Sequence, residues 1–568
     1  MMFIAGSRDP ADDPSPAARA AARRFAATLF GAVERRDGGG TGVPFGYLAV
    51  EAPPTPDLRD SGRRLEALAE ALTDVQVQPV TAVAELPLVY PLLGRFLDNE
   101  MAAPASTIPA AGPARRRAEV EATLLNRRAG ALRFDGLYRL DLGDGPLARK
   151  LEWLMREPQS PARMRLDRPE PTAGAEGPTD GGADLLRLGR LLSEDPALGV
   201  TPAEIAAAPP PLRDWLAPGG RIDPRTAIVG EPRSDSSLIT AQLHVAMLRF
   251  HNRVAEWLAE TGGAAPERLA EATRALVRWH LQWLTLNDYL PRICDAAVLA
   301  RVRRVGAPLY AGLRARMAGR TGGGLPVPLE YWAAASRWRH SATRVRWDLN
   351  RFHGRPDGGP DQLTPRAGMD LLLLWSGASM PTPRVPTHML PDWSRLVESP
   401  PAFADRAARR IDTFLAIEGG EAVGAGPEVF RRLALMCLRH GHALNLPSGQ
   451  DLAAAFNRVY DGLVRPLTEA QLTAGHTGEA VRDGFAERTP LWFYVLKEAE
   501  VQQGGLRLGQ LGSALVAETL VGLIAQDPDS VWARRGRDGG PWSPADGARP
   551  DGLVIDELAA LFRAAELL

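Results

Sequence analysis

The chain has 568 residues, 45% of them hydrophobic and 24% charged, and its formal net charge at pH 7 is -1. A chain of this length can bury a large core, and its balanced charge excludes the basic excess that nucleic-acid binding requires. Two cysteines are too few for a disulfide framework, and no apolar run approaches the roughly 20 residues of a membrane-spanning helix.

Helical periodicity dominates the chain, and the alternating pattern of strands is scarce. The predicted helices, in chain order, are 61–72, 91–101, 147–156, 235–260, 266–290, 296–318, 331–345, 401–417, 427–440, 450–459, 506–525 and a terminal helix within 552–568. Pro- and Gly-rich breaks predict loops at 167–184, 354–368, 418–427 and 532–552. The pattern predicts a mainly α fold with little β structure, in which residues 1–60 form an N-terminal extension and residues 61–568 form one domain.

The most informative stretch is residues 229–257, VGEPRSDSSLITAQLHVAMLRFHNRVAEW. Its apolar residues recur every three or four positions, which predicts one buried face of a long helix. Ser234 or Asp235 is the predicted N-cap of this helix. Arg233 is therefore expected at the start of the helix, where it presents a fixed positive charge.

This G-x-P-R-x-D…Q-L-H-x-A-x-L-R-F-H-N string resembles the animal haem peroxidase superfamily, in its bacterial branch. Three further segments, 277–292, 441–450 and 489–524, are similar to the family and follow in its order. The resemblance implies the mainly α haem-peroxidase fold and a bound haem b. It also implies that Arg233 faces the distal side of the haem, which is the side opposite the axial histidine.

The segment SRWRHSATRV, residues 336–345, is similar to the family's R-F-G-H-S/T proximal helix, which makes His340 the implied axial ligand of the haem iron. Arg339 takes the place of a glycine and needs space that a haem propionate can provide. The family's asparagine, which accepts a hydrogen bond from the proximal imidazole, corresponds to Cys437, and its propionate-side arginine corresponds to His440. A thiol is a weak acceptor; Cys437 alternatively serves as a small core residue.

The family's distal signature, W-G-Q-x-x-D-H-D, matches residues 93–100, LGRFLDNE. The resemblance then places Asn99 where the distal histidine belongs and Arg95 where the glutamine belongs. All nine histidines lie at or after His244, so no shift of register supplies the missing one. Asparagine cannot accept a proton near neutral pH, and general acid–base help is typically worth about 10²–10⁴-fold in rate. Arg233 and Arg95 remain as candidates to polarise an oxygen ligand.

Some residues at the positions of the family's ester links to haem and of its calcium site are also replaced. Asp98 keeps the position of an ester-forming aspartate, whereas Ser236 replaces the family's second ester-forming carboxylate, so at most one ester link is expected. The calcium loop corresponds to residues 130–138, where Arg133 replaces an expected aspartate. Calcium requires a ring of hard oxygen ligands. We therefore expect no calcium and, in its place, a salt bridge between Arg133 and Glu100, the alternative being a solvated Arg133.

Two functional hypotheses remain open. The first is a haem-binding oxidoreductase with weak classical peroxidase activity, acting on a small organic substrate or a peroxide. The second is a non-catalytic relative, either a haem sensor or a haem-free structural or interaction scaffold. The N-terminal sequence MMFIAG lacks the pattern of a signal peptide, so we expect a cytoplasmic protein without nucleic-acid or membrane partners.

Overall fold

A computed structural model describes residues 42–54, 60–74, 77, 83–105, 113–128, 130–140, 142, 145–172, 183–355, 367–398, 403–415 and 426–568. The structure is 56% helical, which confirms the predicted mainly α class. The helices in chain order are Ser61–Leu72, Val89–Met101, Arg117–Thr123, Pro146–Leu154, Pro202–Ala207, Pro210–Leu216, Leu238–Glu260, Leu269–Leu284, Leu290–Ile293, Ala296–Val305, Pro308–Met317, Leu329–Ala333, Arg339–Ala342, Met369–Leu374, Ser394–Val397, Gly426–Ala443, Gly449–Tyr460, Glu469–Leu472, Gly475–Arg482, Leu491–Gln503, Gln510–Gln526 and Leu558–Ala564.

In the described part of the chain, the strands are short and form four antiparallel pairs. They are Val43–Pro44 with Leu125–Asn126, Val83–Pro87 with Ala407–Arg409, Arg156–Glu157 with Ser160–Met164, and Arg346–Trp347 with Ala367–Gly368. Pairs of this length tie distant segments together but bury little surface of their own, so helix packing carries the fold.

Two features identify the centre of the core. The Gln510–Gln526 helix is buried at every position from Leu511 to Ile524, as expected for a helix surrounded by others. The Leu238–Glu260 helix packs on both Leu269–Leu284 and Val89–Met101. Phe45, from the predicted N-terminal extension, is fully buried in the same hydrophobic cluster.

The long helix begins later than predicted. Ser237, and not Ser234 or Asp235, is its N-cap, and its side chain forms a capping box with Thr240. The preceding Pro232–Ser236 segment is a separate 3₁₀ turn with a non-helical break at Asp235. Arg233 therefore lies in the turn before the helix, and not at the start of the helix as predicted.

Several predicted helices are interrupted. The 296–318 prediction is divided where Gly306 and Ala307 adopt positive φ and Pro308 starts a new helix. The 331–345 prediction is divided at Ala334, whose backbone is non-helical, so His340 lies in the short Arg339–Ala342 helix. The 266–290 prediction instead spans the Leu269–Leu284 helix and a π-helical turn, and the 552–568 prediction keeps one short helix.

The predicted helix 401–417 is wrong. Within its described part, residues 407–409 form a strand that pairs with Val83–Pro87, a partner more than 300 residues away in sequence. Most of the predicted loops 167–184, 354–368 and 418–427 lie outside the described residues. Among the residues that the structure describes, no helix combines the length and apolar character needed to cross a membrane.

Candidate functional site

A cleft lies between the Val89–Met101 helix, the start of the Leu238–Glu260 helix and the segment around His340. It contains about 600 Å³ of empty space when the open solvent at its mouth is included. Its polar lining includes Arg95, Arg339 and His340, so three predicted site residues meet at one place. Its apolar wall consists of Pro91, Leu92, Ile239, Trp347, Met369, Leu372, Phe430 and Leu433.

His340 presents a neutral imidazole to this cleft. Burial and the neighbouring guanidinium groups, Arg339 first among them, lower the pKa of His340 well below its usual value. The Nε2 atom is buried and forms no hydrogen bond with any residue that the structure describes. A buried, unsatisfied ring nitrogen is costly, so its presence points to a ligand that completes it.

The other side of the imidazole meets a thiol. Cys437 Sγ lies 3.6 Å from His340 Nδ1, and both side chains are buried. Arg337 donates a 2.8 Å hydrogen bond to His440 Nδ1, and both side chains are buried. The structure brings Cys437 next to His340, where the resemblance placed a hydrogen-bond acceptor, while the roles of Cys437 and His440 stay predictions.

Arg339 reaches across to the facing helix. Its Nη2 atom lies 2.6 Å from Asp98 Oδ2, and both side chains are largely buried. Tyr331 donates a hydrogen bond of 2.6 Å to the other oxygen of the same carboxylate. In this structure Arg339 pairs with Asp98, and both oxygens of the predicted ester-forming carboxylate have a partner, while the contact of Arg339 with a propionate and the ester link stay predictions.

Arg95 is the second cation on the cleft wall. It donates a 2.7 Å hydrogen bond to Ser236 Oγ, which contacts the guanidinium as a neutral group. Burial and repulsion by Arg339 and Arg233 lower the pKa of Arg95 to about 9, so the side chain still carries its charge at neutral pH.

Arg233 does not line the cleft, contrary to expectation. Its guanidinium forms a two-point ion pair with Glu231, with both N–O distances 2.7 Å, and donates to the backbone oxygens of Asn99 and Ala102 at the end of the Val89–Met101 helix. Carbonyl groups at a helix end attract a cation, which explains the direction of the side chain. Asn99 also lies outside the lining, which takes Pro91, Leu92 and Arg95 from that helix.

The predicted Arg133–Glu100 salt bridge is wrong. Arg133 instead pairs with Asp527 at 3.0 Å. The cation beside Glu100 is Arg128, at 3.4 Å, and Arg128 also pairs with Glu231 at 3.0 Å. A guanidinium does meet Glu100, but it comes from another residue of the neighbouring segment.

Sequence reasoning also missed three buried partners. Glu231 lies two residues before Arg233, and this spacing was the available signal for their pairing. Despite burial, which raises it, the guanidinium groups of Arg233 and Arg128 hold the pKa of Glu231 at about 2. Tyr331 and Arg128 carried no local signal, because their partners lie on other parts of the chain.

Comparisons with known proteins find similarity in both sequence and structure. Residues 216–353 match the family model "Animal haem peroxidase". A 129-residue stretch is 30% identical to chorion peroxidase of Drosophila melanogaster and covers 22% of this chain but 16% of that protein. Peroxidase A from Dictyostelium discoideum is similar in structure, with a TM-score of 0.53, 15% identity and coverage of 94% of this chain and 96% of that one. An Oryza sativa fatty acid alpha-dioxygenase gives a TM-score of 0.50 at 9% identity, over 92% and 80% of the two chains.

The fold is therefore that of the haem peroxidases. Within that fold, residues 216–353 resemble an animal haem peroxidase domain, and this resemblance implies haem as the bound group. The residues of the cleft fit that group: His340 offers an unsatisfied imidazole nitrogen, Arg95 and Arg339 offer cations for acidic groups, and the apolar wall suits a flat macrocycle.

Proposed function

We propose that this protein binds haem b through His340 and is a peroxidase-like oxidoreductase with weak activity towards ordinary donors. The observation that carries the proposal is that His340 lines the cleft while its buried Nε2 atom has no hydrogen-bond partner among the described residues. When bound, haem supplies the redox chemistry. The protein's part is to hold the macrocycle against an apolar wall and to place Arg95 and Arg339 beside its acidic groups.

The weak activity is expected because the described lining of the cleft offers no side chain other than His340 that would act as a base towards a bound oxygen ligand. No histidine other than His340 lines the cleft among the described residues, so no imidazole is placed there to move a proton. Arg233 is held by Glu231 and by the end of the Val89–Met101 helix, so its charge is not directed at a bound oxygen ligand. Arg95 supplies positive charge but, as a guanidinium, does not act as a base.

The substrate is proposed to be a small organic molecule or a peroxide, because the cleft combines an apolar wall with a few polar groups, as small-molecule sites do. We also propose a cytoplasmic location without nucleic-acid or membrane partners. Both cysteines, Cys294 and Cys437, are buried free thiols, which suits a reducing compartment.

Absorption spectroscopy tests the haem proposal. Full-length protein titrated with haem should develop a Soret band, and His340→Ala should remove or strongly shift it. His476→Ala is the matched control, since this histidine lies at the surface beside Asp74 and should leave the spectrum unchanged. A wild-type protein that stays colourless after titration would refute the proposal.

The second candidate is a non-catalytic relative, either a haem sensor or a haem-free scaffold. It is favoured by the capture of Arg233 and by the ion pair between Arg339 and Asp98 within the cleft region. The same haem titration distinguishes the haem sensor from the haem-free scaffold, because only the sensor takes up haem. Guaiacol oxidation by the loaded protein then separates a sensor, which should show none above free haem, from a slow enzyme.

A further inference from the structure

The Arg339–Asp98 ion pair joins the two walls between which a ligand of His340 must fit. Arg339 and His340 are adjacent in the Arg339–Ala342 helix, and Asp98 belongs to the Val89–Met101 helix that faces it. The two charged groups are 2.6 Å apart, and their side chains are 11% and 7% exposed. The two helices are in direct contact, and the pair lies at their junction beside the cleft, whose lining includes Arg339 but not Asp98.

We infer that the Arg339–Asp98 pair is a latch that controls the access of haem to His340. This inference rests on the proposed function and goes beyond it, because it assigns a role to a contact that haem binding alone does not require. With the pair closed, the two walls are held together. Haem reaches the Nε2 atom of His340 after the pair opens.

The chemistry of the pair allows this opening. A buried ion pair gains little net stability over its separated and solvated groups, whereas leaving one member buried and unpaired is costly. A carboxylate on the incoming ligand can replace that of Asp98 on Arg339, so the guanidinium stays paired after the exchange. Tyr331 donates to Asp98 while the pair is closed and can still donate after it opens, so this hydrogen bond favours neither state. Opening is thereby favoured by an acidic ligand and not by a neutral one.

Stopped-flow measurement of haem uptake tests the latch. Asp98→Asn removes the carboxylate that holds Arg339 and keeps Arg339 available to the ligand. We expect its association rate to rise about tenfold and its apparent Kd to fall by a similar factor, because the open fraction no longer limits binding. Arg339→Ala should also raise the association rate about tenfold by removing the latch, with a smaller gain in affinity because the cation is lost.

Tyr331→Phe is the matched control. It removes a hydrogen bond to the same carboxylate but keeps the ion pair, so its association rate should stay within about twofold of wild type. Circular dichroism of the haem-free variants verifies folding, and either Asp98→Asn or Arg339→Ala suffices if the other does not fold.

The possible results separate the latch from the haem site. Uptake that is faster in the variants, or that occurs in the variants alone, supports the latch. Uptake by wild type at the same rate as by the variants overturns the latch and leaves the proposed function standing. Absence of uptake by wild type and both variants overturns the latch together with the proposed function.

Discussion

Removing the guanidinium of Arg128 should destabilise the protein strongly and in a pH-dependent way. Arg128 is 5% exposed and contacts two carboxylates, Glu100 at 3.4 Å and Glu231 at 3.0 Å. Glu231 keeps Arg233 as a partner, but Glu100, whose side chain is fully buried, keeps the backbone N–H of Gly136 as its one hydrogen-bond donor among the described residues. Breaking a buried pair by removing one member typically costs about 3–5 kcal/mol, so we expect Arg128→Ala to lose that amount at pH 8.

The pH dependence follows from the charge of Glu100. Burial raises the pKa of Glu100 to about 7 even with Arg128 present. A raised carboxyl pKa contributes stability that is complete below the unfolded value and is lost as the pH rises through the folded value. In Arg128→Ala the pKa should rise further, so the carboxyl is neutral at pH 5. Because one pKa unit corresponds to about 1.4 kcal/mol, the loss at pH 5 should be smaller than the loss at pH 8 by up to about 1.4 kcal/mol.

Urea unfolding followed by tryptophan fluorescence at pH 5 and pH 8 measures both quantities. In a Glu100→Gln background, Arg128→Ala should cost the same at both pH values, because a neutral amide does not titrate. Arg268→Ala, at an exposed pair with Glu271, is the control and should change stability by less than about 0.5 kcal/mol. A loss below about 1 kcal/mol at pH 8, or an equal loss at both pH values, would contradict the reasoning.

Three further predictions concern stability. Burial raises the pKa of Glu498 to about 7, so its ionisation removes up to about 3 kcal/mol of stability as the pH rises from about 4.5 through about 7. Glu498→Gln should therefore flatten the pH profile of the urea midpoint and raise it most at about pH 8. Ser237→Ala should cost about 0.5–2 kcal/mol in the same assay by removing the capping box with Thr240; a smaller loss would mean that the helix start is held by packing. Chelators should leave the thermal midpoint unchanged, because Arg128 occupies the place beside Glu100; a chelator-dependent drop would reveal a bound metal.

Much of the fold could be predicted from the sequence, because its helices carry strong local signals. The Ser61–Leu72 helix has the predicted bounds, and Gly426–Ala443 and Gly449–Tyr460 differ from prediction by a few residues at their ends. The helix prediction at 401–417 failed because the structure of this segment depends on a distant partner and not on a local signal. Its Ala407–Arg409 strand depends on hydrogen bonds with Val83–Pro87, and no local pattern reports a partner so far away.

The site was predicted in part, for similar reasons. The neighbours of His340 could be found because motif spacing fixes which backbone positions come together. The direction of the side chains could not be predicted. Arg133 and Arg128 lie five residues apart, yet Arg128 pairs with Glu100 while Arg133 pairs with Asp527, which is almost 400 residues away in sequence. A motif therefore locates a charged residue more reliably than it identifies the carboxylate that the residue will bind.

The same distinction applies to the arginine that first suggested the family. Placing Arg233 near a helix start led to an expected charge in the cleft, but Glu231 and the carbonyl end of the Val89–Met101 helix are nearer and bind it. Arg95 then supplies the charge on the wall, with Ser236 as a neutral neighbour. Burial first, and then repulsion by Arg339 and Arg233, lower the pKa of Arg95, so the charge of its own guanidinium is disfavoured there. An acidic ligand group placed there would relieve that repulsion, so the altered cleft favours an anionic ligand such as haem more than a neutral one of equal size.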